Sequence, residues 1–239
     1  MAIGNYAYAK GQYVVSVGGG NQSEGKYITS LGVNNGSKYD FNVMIGTLYY
    51  DADGTADNSS QGARNITIGT GASNRGENNI LIGSANAIKK GSGNIVIGSA
   101  DRVNDVTTGQ IGVADDYTTN WTNDNIVIGK NASLKGSSYS VVLGSGAGIG
   151  TGSHSSVAIG ENAGSKNSAD SQYSVNLGAY STSSGFYNTA IGSNSSAAQR
   201  NIRVADDLSR GGVLGVVPTE DRPGFWRIQG PSTAWPLLR

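Results

Sequence analysis

The sequence predicts an all-β chain folded as a parallel β-solenoid of about 13 coils, each coil roughly 14 residues long. Three observations predict it. A short phrase recurs, with two aliphatic or β-branched residues one apart and then glycine: Ile66-Thr67-Ile68-Gly69, Ile80-Leu81-Ile82-Gly83, Ile95-Val96-Ile97-Gly98, Ile126-Val127-Ile128-Gly129 and Val157-Ala158-Ile159-Gly160. The closing glycines, from Gly4 through Gly18, Gly32, Gly46, Gly69, Gly83, Gly98, Gly112, Gly129, Gly144, Gly160 and Gly178 to Gly192, are mostly 14 to 18 residues apart, with one step of 23. A unit of that size holds two short strands and two tight turns. It is too small for a strand and a helical crossover, so the strands must stack coil upon coil.

Within one repeat, Ile126 and Ile128 share a strand face and Val127 takes the other, because strand side chains alternate. Gly129 ends the strand where the chain turns and a Cβ would crowd it. A small residue follows three places on, as at Ala7, Ala72, Ala132, Ala147 and Ala163. A second glycine arrives seven or eight places on, as at Gly11, Gly25, Gly76, Gly136 and Gly152. Polar residues then lead into the next strand, often ending in Asn or Ser: Asn94, Asn125, Ser156, Ser174. At the strand spacing of about 4.8 Å, the stack would be roughly 60 Å long. The paired Ile and Val residues are expected inside it. The middle residue is then expected outside, and it is apolar in the central coils: Met44, Leu81, Val96, Val127, Val142. A strand apolar on both faces needs cover on both. These five residues are therefore expected to meet another copy of the chain.

Composition agrees with a rod more than with a catalyst. Glycine is 37 of 239 residues and proline only 4. Lys+Arg and Asp+Glu are 17 each, for zero net charge. That balance gives no electrostatic case for nucleic acid or an anionic membrane. No apolar run approaches the ~20 residues of a membrane helix. Cysteine is absent and His154 is the single histidine. Thiolate chemistry and multi-histidine zinc are thereby excluded within one chain, and nucleophile triads and dyads built on His or Cys nearly so. Asp115-Asp116 and Asp206-Asp207 are adjacent pairs whose side chains diverge along a strand. No enzyme activity and no cofactor are expected. Gly144-Ser145-Gly146-Ala147-Gly148-Ile149-Gly150 resembles a dinucleotide loop, but a strand follows it and not a helix, so its glycines read as turns.

The phrases Ser155-Ser156-Val157-Ala158-Ile159-Gly160-Glu161-Asn162-Ala163 and Asn188-Thr189-Ala190-Ile191-Gly192 resemble the YadA-type head repeat of trimeric autotransporter adhesins. The resemblance covers about residues 1–198 and repeats thirteen times near one period. It implies a left-handed parallel β-roll, a tight homotrimer, and adhesion to host or matrix surfaces. Those adhesins carry an export signal, a coiled-coil stalk and a C-terminal anchor barrel. Met1-Ala2-Ile3-Gly4 runs straight into the first repeat with no signal-peptide pattern, and residues 211–239 show no heptads. Similar repeats occur in bacteriophage fibres, which need neither signal nor anchor. The expectation is therefore a phage virion fibre or fibre tip touching the bacterial surface, located on the virion. The adhesin head, on a bacterial cell surface, is the alternative, and a polysaccharide-cleaving solenoid the third reading.

Two insertions interrupt the period, near residues 47–64 and 101–124. The first contains Tyr49, Tyr50 and Asp51-Ala52-Asp53-Gly54, part of a calcium-loop pattern without its late Glu ligand; no metal site is expected there. The second contains a weak coil at Ile111-Gly112, with Tyr117 and Trp121. Loops on a rigid scaffold are where binding concentrates, so Tyr49, Tyr50, Tyr117 and Trp121 are the candidate contacts to a cell-surface glycan or protein. Residues 199–239 break the period. Asn201-Ile202-Arg203-Val204 and Val213-Leu214-Gly215-Val216-Val217-Pro218 read as further strands. With Phe225, Trp226 and Trp235 this segment reads as a cap on the solenoid end, or as a docking segment for other fibre or virion proteins.

Overall fold

The computed structural model describes residues 1–47, 49–50, 56–57, 59–60, 62–88, 91–99, 123–134, 136–150, 152–164, 171–198, 200, 202–205, 213–218 and 226–229. Among these the chain is all-β without a helix, and its parallel strands stack as a β-solenoid of about 11 turns. Most turns have a strand in one long sheet, a corner, a short strand on the opposite side, and a second corner. The long sheet has fifteen strands among the described residues, running in chain order from Ala2–Ile3 to Trp226–Gln229. Facing it are a six-stranded sheet, from Tyr8–Lys10 to Ala87–Ile88, and two separate parallel pairs: Ser133–Leu134 with Gly148–Ile149, and Thr182–Ser184 with Ser196–Ala198.

The register follows the glycine period. Ile66 lies against Ile80, Leu81 against Val96 and Val127 against Val142. The insertions do not disturb it. Val43 pairs with Ile66 across the first insertion and Ile95 with Ile126 across the second. The coil expected at Ile111-Gly112 lies outside the described residues. Apolar burial drives the long sheet to close over the gap, since a missing strand would open a ladder edge in mid-stack.

Glycine is required where the coils touch. Gly83 has φ +127°, and a Cβ there would lie 1.6 Å from the carbonyl oxygen of Gly98 in the next coil. The corners are made differently, by a residue in the left-handed region two places after and five places before each such glycine. Asn131 (φ 54°) and Asp124 (φ 55°) are the pair that flanks the Gly129 strand.

The strand polarity is the reverse of the sequence expectation. Met44, Leu81, Val96, Val127 and Val142 are enclosed by their own chain, with Val127 1% exposed, whereas Ile126 and Ile128 are each 38% exposed. These five side chains are the core, not the contact to another copy. The reason is volume. A coil of this length has room inside for one side chain per long-sheet strand, so the central residue points in and its two neighbours point out. Ser16, Ser30, Ala158, Asn176 and Ala190 occupy the same inward column, and their small size fits a thin interior. The apolar core proper runs through the central coils, where Leu81, Ile88, Val96, Val127, Leu134, Val142 and Ile149 cluster with Ala72, Ala132, Ala147, Ala158 and Ala163.

The polar residues before the strands are buried too. Asn42, Asn65, Asn79, Asn94 and Asn125 form a ladder in which each Oδ1 accepts the backbone N–H of the next rung: Asn65 to Asn42 at 2.9 Å, Asn79 to Asn65 at 3.0 Å, Asn94 to Asn79 at 2.8 Å and Asn125 to Asn94 at 3.2 Å. Ser140, Ser156 and Ser174 continue it. Asn21 and Asn35 do the same at the other corner. Every such bond satisfies a buried corner amide that the sheets cannot reach.

At the C-terminal end, Ile202–Ala205 joins the stack in parallel with Thr189–Ile191. Val213–Pro218 then pairs antiparallel on it and Trp226–Gln229 antiparallel on that. Both strands expected from the sequence are present. A β-hairpin thus succeeds the last parallel coil and extends the long sheet.

Candidate functional site

The outer face of the long sheet is the largest feature built from described side chains. Two residues per strand point outward, one on each side of the buried central residue. Val15 and Val17, Ile66 and Ile68, Ile95 and Ile97, and Ile202 and Val204 are examples along the sheet, all half-buried to exposed. Parallel register puts like on like, so the face is two columns running the length of the solenoid, aliphatic apart from Thr29 and Thr189. At strand spacing it measures roughly 60 Å by 10 Å. A typical monomer's largest apolar patch is about 300–600 Å², and parallel sheets are normally covered on both faces.

Two rims flank this face, formed by the left-handed corners. The rim leading into the strands carries Tyr13, Tyr27, Phe41, Tyr139, Tyr173 and Tyr187, all at φ between 54° and 62° and all exposed. Left-handed backbone is costly for a bulky side chain, and glycine or asparagine would be cheaper there. The rings recover part of that cost by stacking. Tyr13 and Tyr27 are 4.9 Å apart at 14°, Tyr27 and Phe41 4.9 Å at 7°, and Tyr173 and Tyr187 5.0 Å at 6°. The Arg200 guanidinium lies 5.8 Å from the Tyr187 ring. Between the aromatic groups the rim is polar: Arg64 pairs with Glu77 at 2.8 Å and donates from Nε to Asn78 Oδ1 at 2.6 Å. The opposite rim carries Tyr6 and Tyr180, the latter bonded through its hydroxyl to Glu161 at 3.0 Å.

The sequence-nominated binding residues do not gather on this surface. Tyr49–Tyr50 forms a two-stranded antiparallel hairpin with Ala56–Asp57, branching where the chain leaves the long sheet; nothing beyond the backbone is described for the two tyrosines. Asp51 to Thr55, Tyr117 and Trp121 lie outside the described residues, as do Phe225 and Trp235; Trp226 begins the last hairpin strand. Both insertions, and the extra residues of the 18-residue step before Gly178, fall between strands of the long sheet and leave it continuous. The facing strands are the ones divided into separate sheets. Sequence reasoning missed the aromatic rim, although Tyr or Phe five places before the glycine recurs at the solenoid period.

Among the described residues no group of three or more His, Asp or Glu could hold a metal ion, and no helix is long and apolar enough to cross a membrane. His154 is half-buried, and its Nδ1 accepts the Ser138 backbone N–H at 3.0 Å. No family model, no curated protein and no solved structure matches the chain. The described surface carries a long strip of mostly aliphatic side chains with aromatic margins, and the strands that form the strip pair directly across both insertions.

Proposed function

We propose that this chain is the rod of a non-enzymatic homotrimeric fibre that displays binding surface, carried on a phage virion as a fibre or fibre tip that contacts the bacterial surface. The observation that carries the assembly is the aliphatic outer face of the long sheet. Three copies turning these faces toward a common axis would cover all of it. The facing sheets and insertions would then point outward, with Tyr49, Tyr50, Tyr117 and Trp121 as contacts to a cell-surface glycan or protein. Left-handed winding, threefold symmetry and the virion setting come from the resemblance of Val157-Ala158-Ile159-Gly160 and its sister repeats to YadA-type heads and phage fibres. The C-terminal hairpin, which ends on Trp226–Gln229, supplies a sheet edge suited to other fibre or virion proteins. Three copies of each site would let individually weak contacts hold firmly.

The test is sedimentation with binding. The protein should sediment as an elongated particle of three times the chain mass, and labelled protein should coat cells of a susceptible bacterium. A stable monomer removes the assembly. Unchanged cell binding after alanine at Tyr49, Tyr50, Tyr117 and Trp121 together, in a variant of unchanged mass, removes those four contacts.

A further inference from the structure

The aromatic rim contains one interruption that fits a ligand. Tyr139, Ser155 and Tyr173 are successive residues of the same corner column, with φ of 59°, 52° and 54°. Their backbones stack directly: the Ser155 N–H donates to Ser138 O at 2.9 Å and the Tyr173 N–H to His154 O at 3.0 Å. Where neighbouring rungs both carry rings, the rings lie 4.9 to 5.0 Å apart. Ser155 removes one ring from that series. Its two aromatic neighbours are then two rungs apart, roughly 10 Å at the inter-strand spacing. One flat ring inserted between them would meet each tyrosine at the distance the protein uses for its own stacks. Tyr139 is 67% exposed, Tyr173 and Ser155 are exposed, and among the described residues no ring stacks on Tyr139.

We propose that Tyr139, Ser155 and Tyr173 form a slot that holds one hexopyranose ring with both faces against tyrosine. The walls are aromatic faces, whose negative quadrupole attracts the weakly positive C–H groups of a sugar ring. The floor is the exposed Ser155 hydroxyl, which can both donate to and accept from a hydroxyl edge. A ligand with apolar faces and a hydroxyl edge matches this pattern; an inserted aromatic side chain would leave that hydroxyl unpaired. Two-sided stacking selects the configuration. An all-equatorial pyranose, as in β-glucosides, presents axial C–H groups on both faces. An axial hydroxyl, as in galactosides, blocks one of them. The slot stands on the ladder geometry alone, so a monomeric result in the assembly experiment leaves it intact.

The experiment is saturation-transfer NMR on the whole protein, with methyl β-D-glucopyranoside as probe and methyl β-D-galactopyranoside as comparator. A single slot should bind with a Kd of about a millimolar. Transfer should reach ring protons on both faces of the glucoside, and the galactoside should bind about tenfold more weakly. Tyr139→Ala should weaken glucoside binding about tenfold. Ser155→Tyr is the decisive variant. It fills the gap with the residue its column already carries at Tyr173 and Tyr187, so the fold should persist while binding disappears. Absence of transfer to the wild type, equal binding of the two sugars, or undiminished binding by a folded Ser155→Tyr protein would each overturn the proposal.

Discussion

The backbone N–H of Asn79 donates to the side-chain oxygen of Asn65, 3.0 Å away and fully buried, and the Asn79 Oδ1 in turn accepts the backbone N–H of Asn94 at 2.8 Å. Its own Nδ2 donates to the Gly91 carbonyl at 3.1 Å, across the thickness of the corner. One side chain therefore serves the coil above and the turn beside it. Asn79→Ala would take the acceptor from the Asn94 N–H and the donor from the Asn74 Oδ1, while the Gly91 carbonyl would keep the Glu77 N–H. Each buried group left unpaired costs about 1–3 kcal/mol, so the expected loss is about 3 kcal/mol. Asn79→Ser should lose less, since Ser140 and Ser156 already accept from the next rung in this column. Urea unfolding followed by circular dichroism reads both. Equal and negligible losses would mean that the ladder is incidental.

Val127 and Ile128 are adjacent yet face opposite worlds, and aspartate at each separates folding from assembly. Val127 packs in the core cluster with Val96 and Val142 on the rungs beside it. Val127→Asp puts an unpaired carboxylate there, a penalty that a small β-fold does not survive; strand signal should be lost at every concentration. Ile128→Asp places its charge on the outer face, where a single chain leaves it in water. That variant should keep its β spectrum and lose its oligomeric mass. Sedimentation and circular dichroism on the two variants check this, and the reverse pattern would restore the polarity expected from the sequence.

Gly83 and Gly36 form a matched pair for the close approach of coils. An alanine methyl at Gly83 would press into the Gly98 carbonyl at φ +127°, whereas a Cβ at Gly36 meets nothing within 4 Å. Gly83→Ala should cost about 3 kcal/mol or more through clash and backbone strain together. Gly36→Ala should be neutral, or stabilising by about 0.5 kcal/mol through the unfolded state. Thermal melts of the two proteins give the comparison. A Gly83→Ala protein that melts with the wild type would mean the coils can separate locally at no cost.

How much of this was legible beforehand depended on which physical quantity the sequence encodes. The coil period was legible, because Gly69, Gly83 and Gly98 must recur wherever backbone meets backbone. The two-strand repeat followed from its length. The direction of the strand faces was not, since Ile-Val-Ile carries no alternation between apolar and polar. The clue lay at the ends of the rod, where Ser16, Ser30 and Asn176 hold the central position while valine, leucine or threonine keeps the flanks. The burial of the asparagines was not legible, because their partners are backbone groups one coil away. Tyr139 and Tyr173 were passed over because composition gives no hint that a tyrosine sits in left-handed backbone.

The amino-terminal coils yield the last prediction. Ser16, Ser23 and Ser30 are buried, and their hydroxyls have no hydrogen-bond partner among the described residues. Ser16 pairs with Ser30 in the long sheet, and Ser30 in turn lies against Met44, where the apolar column begins. A buried hydroxyl without a partner is a desolvation cost that alanine lacks, at almost the same volume. Ser30→Ala should therefore raise stability, by about 1 kcal/mol. Ser30→Val adds volume to a thin interior and should lose that gain by overpacking. Because solenoid coils communicate with their neighbours first, the gain should appear as slower amide exchange in residues 14–44 and fade toward the central coils. Hydrogen exchange measured along the rod tests this directly. A destabilised Ser30→Ala protein would show that the hydroxyl is bonded after all, and that the polar columns at the rod's end are held as firmly as the asparagine ladder.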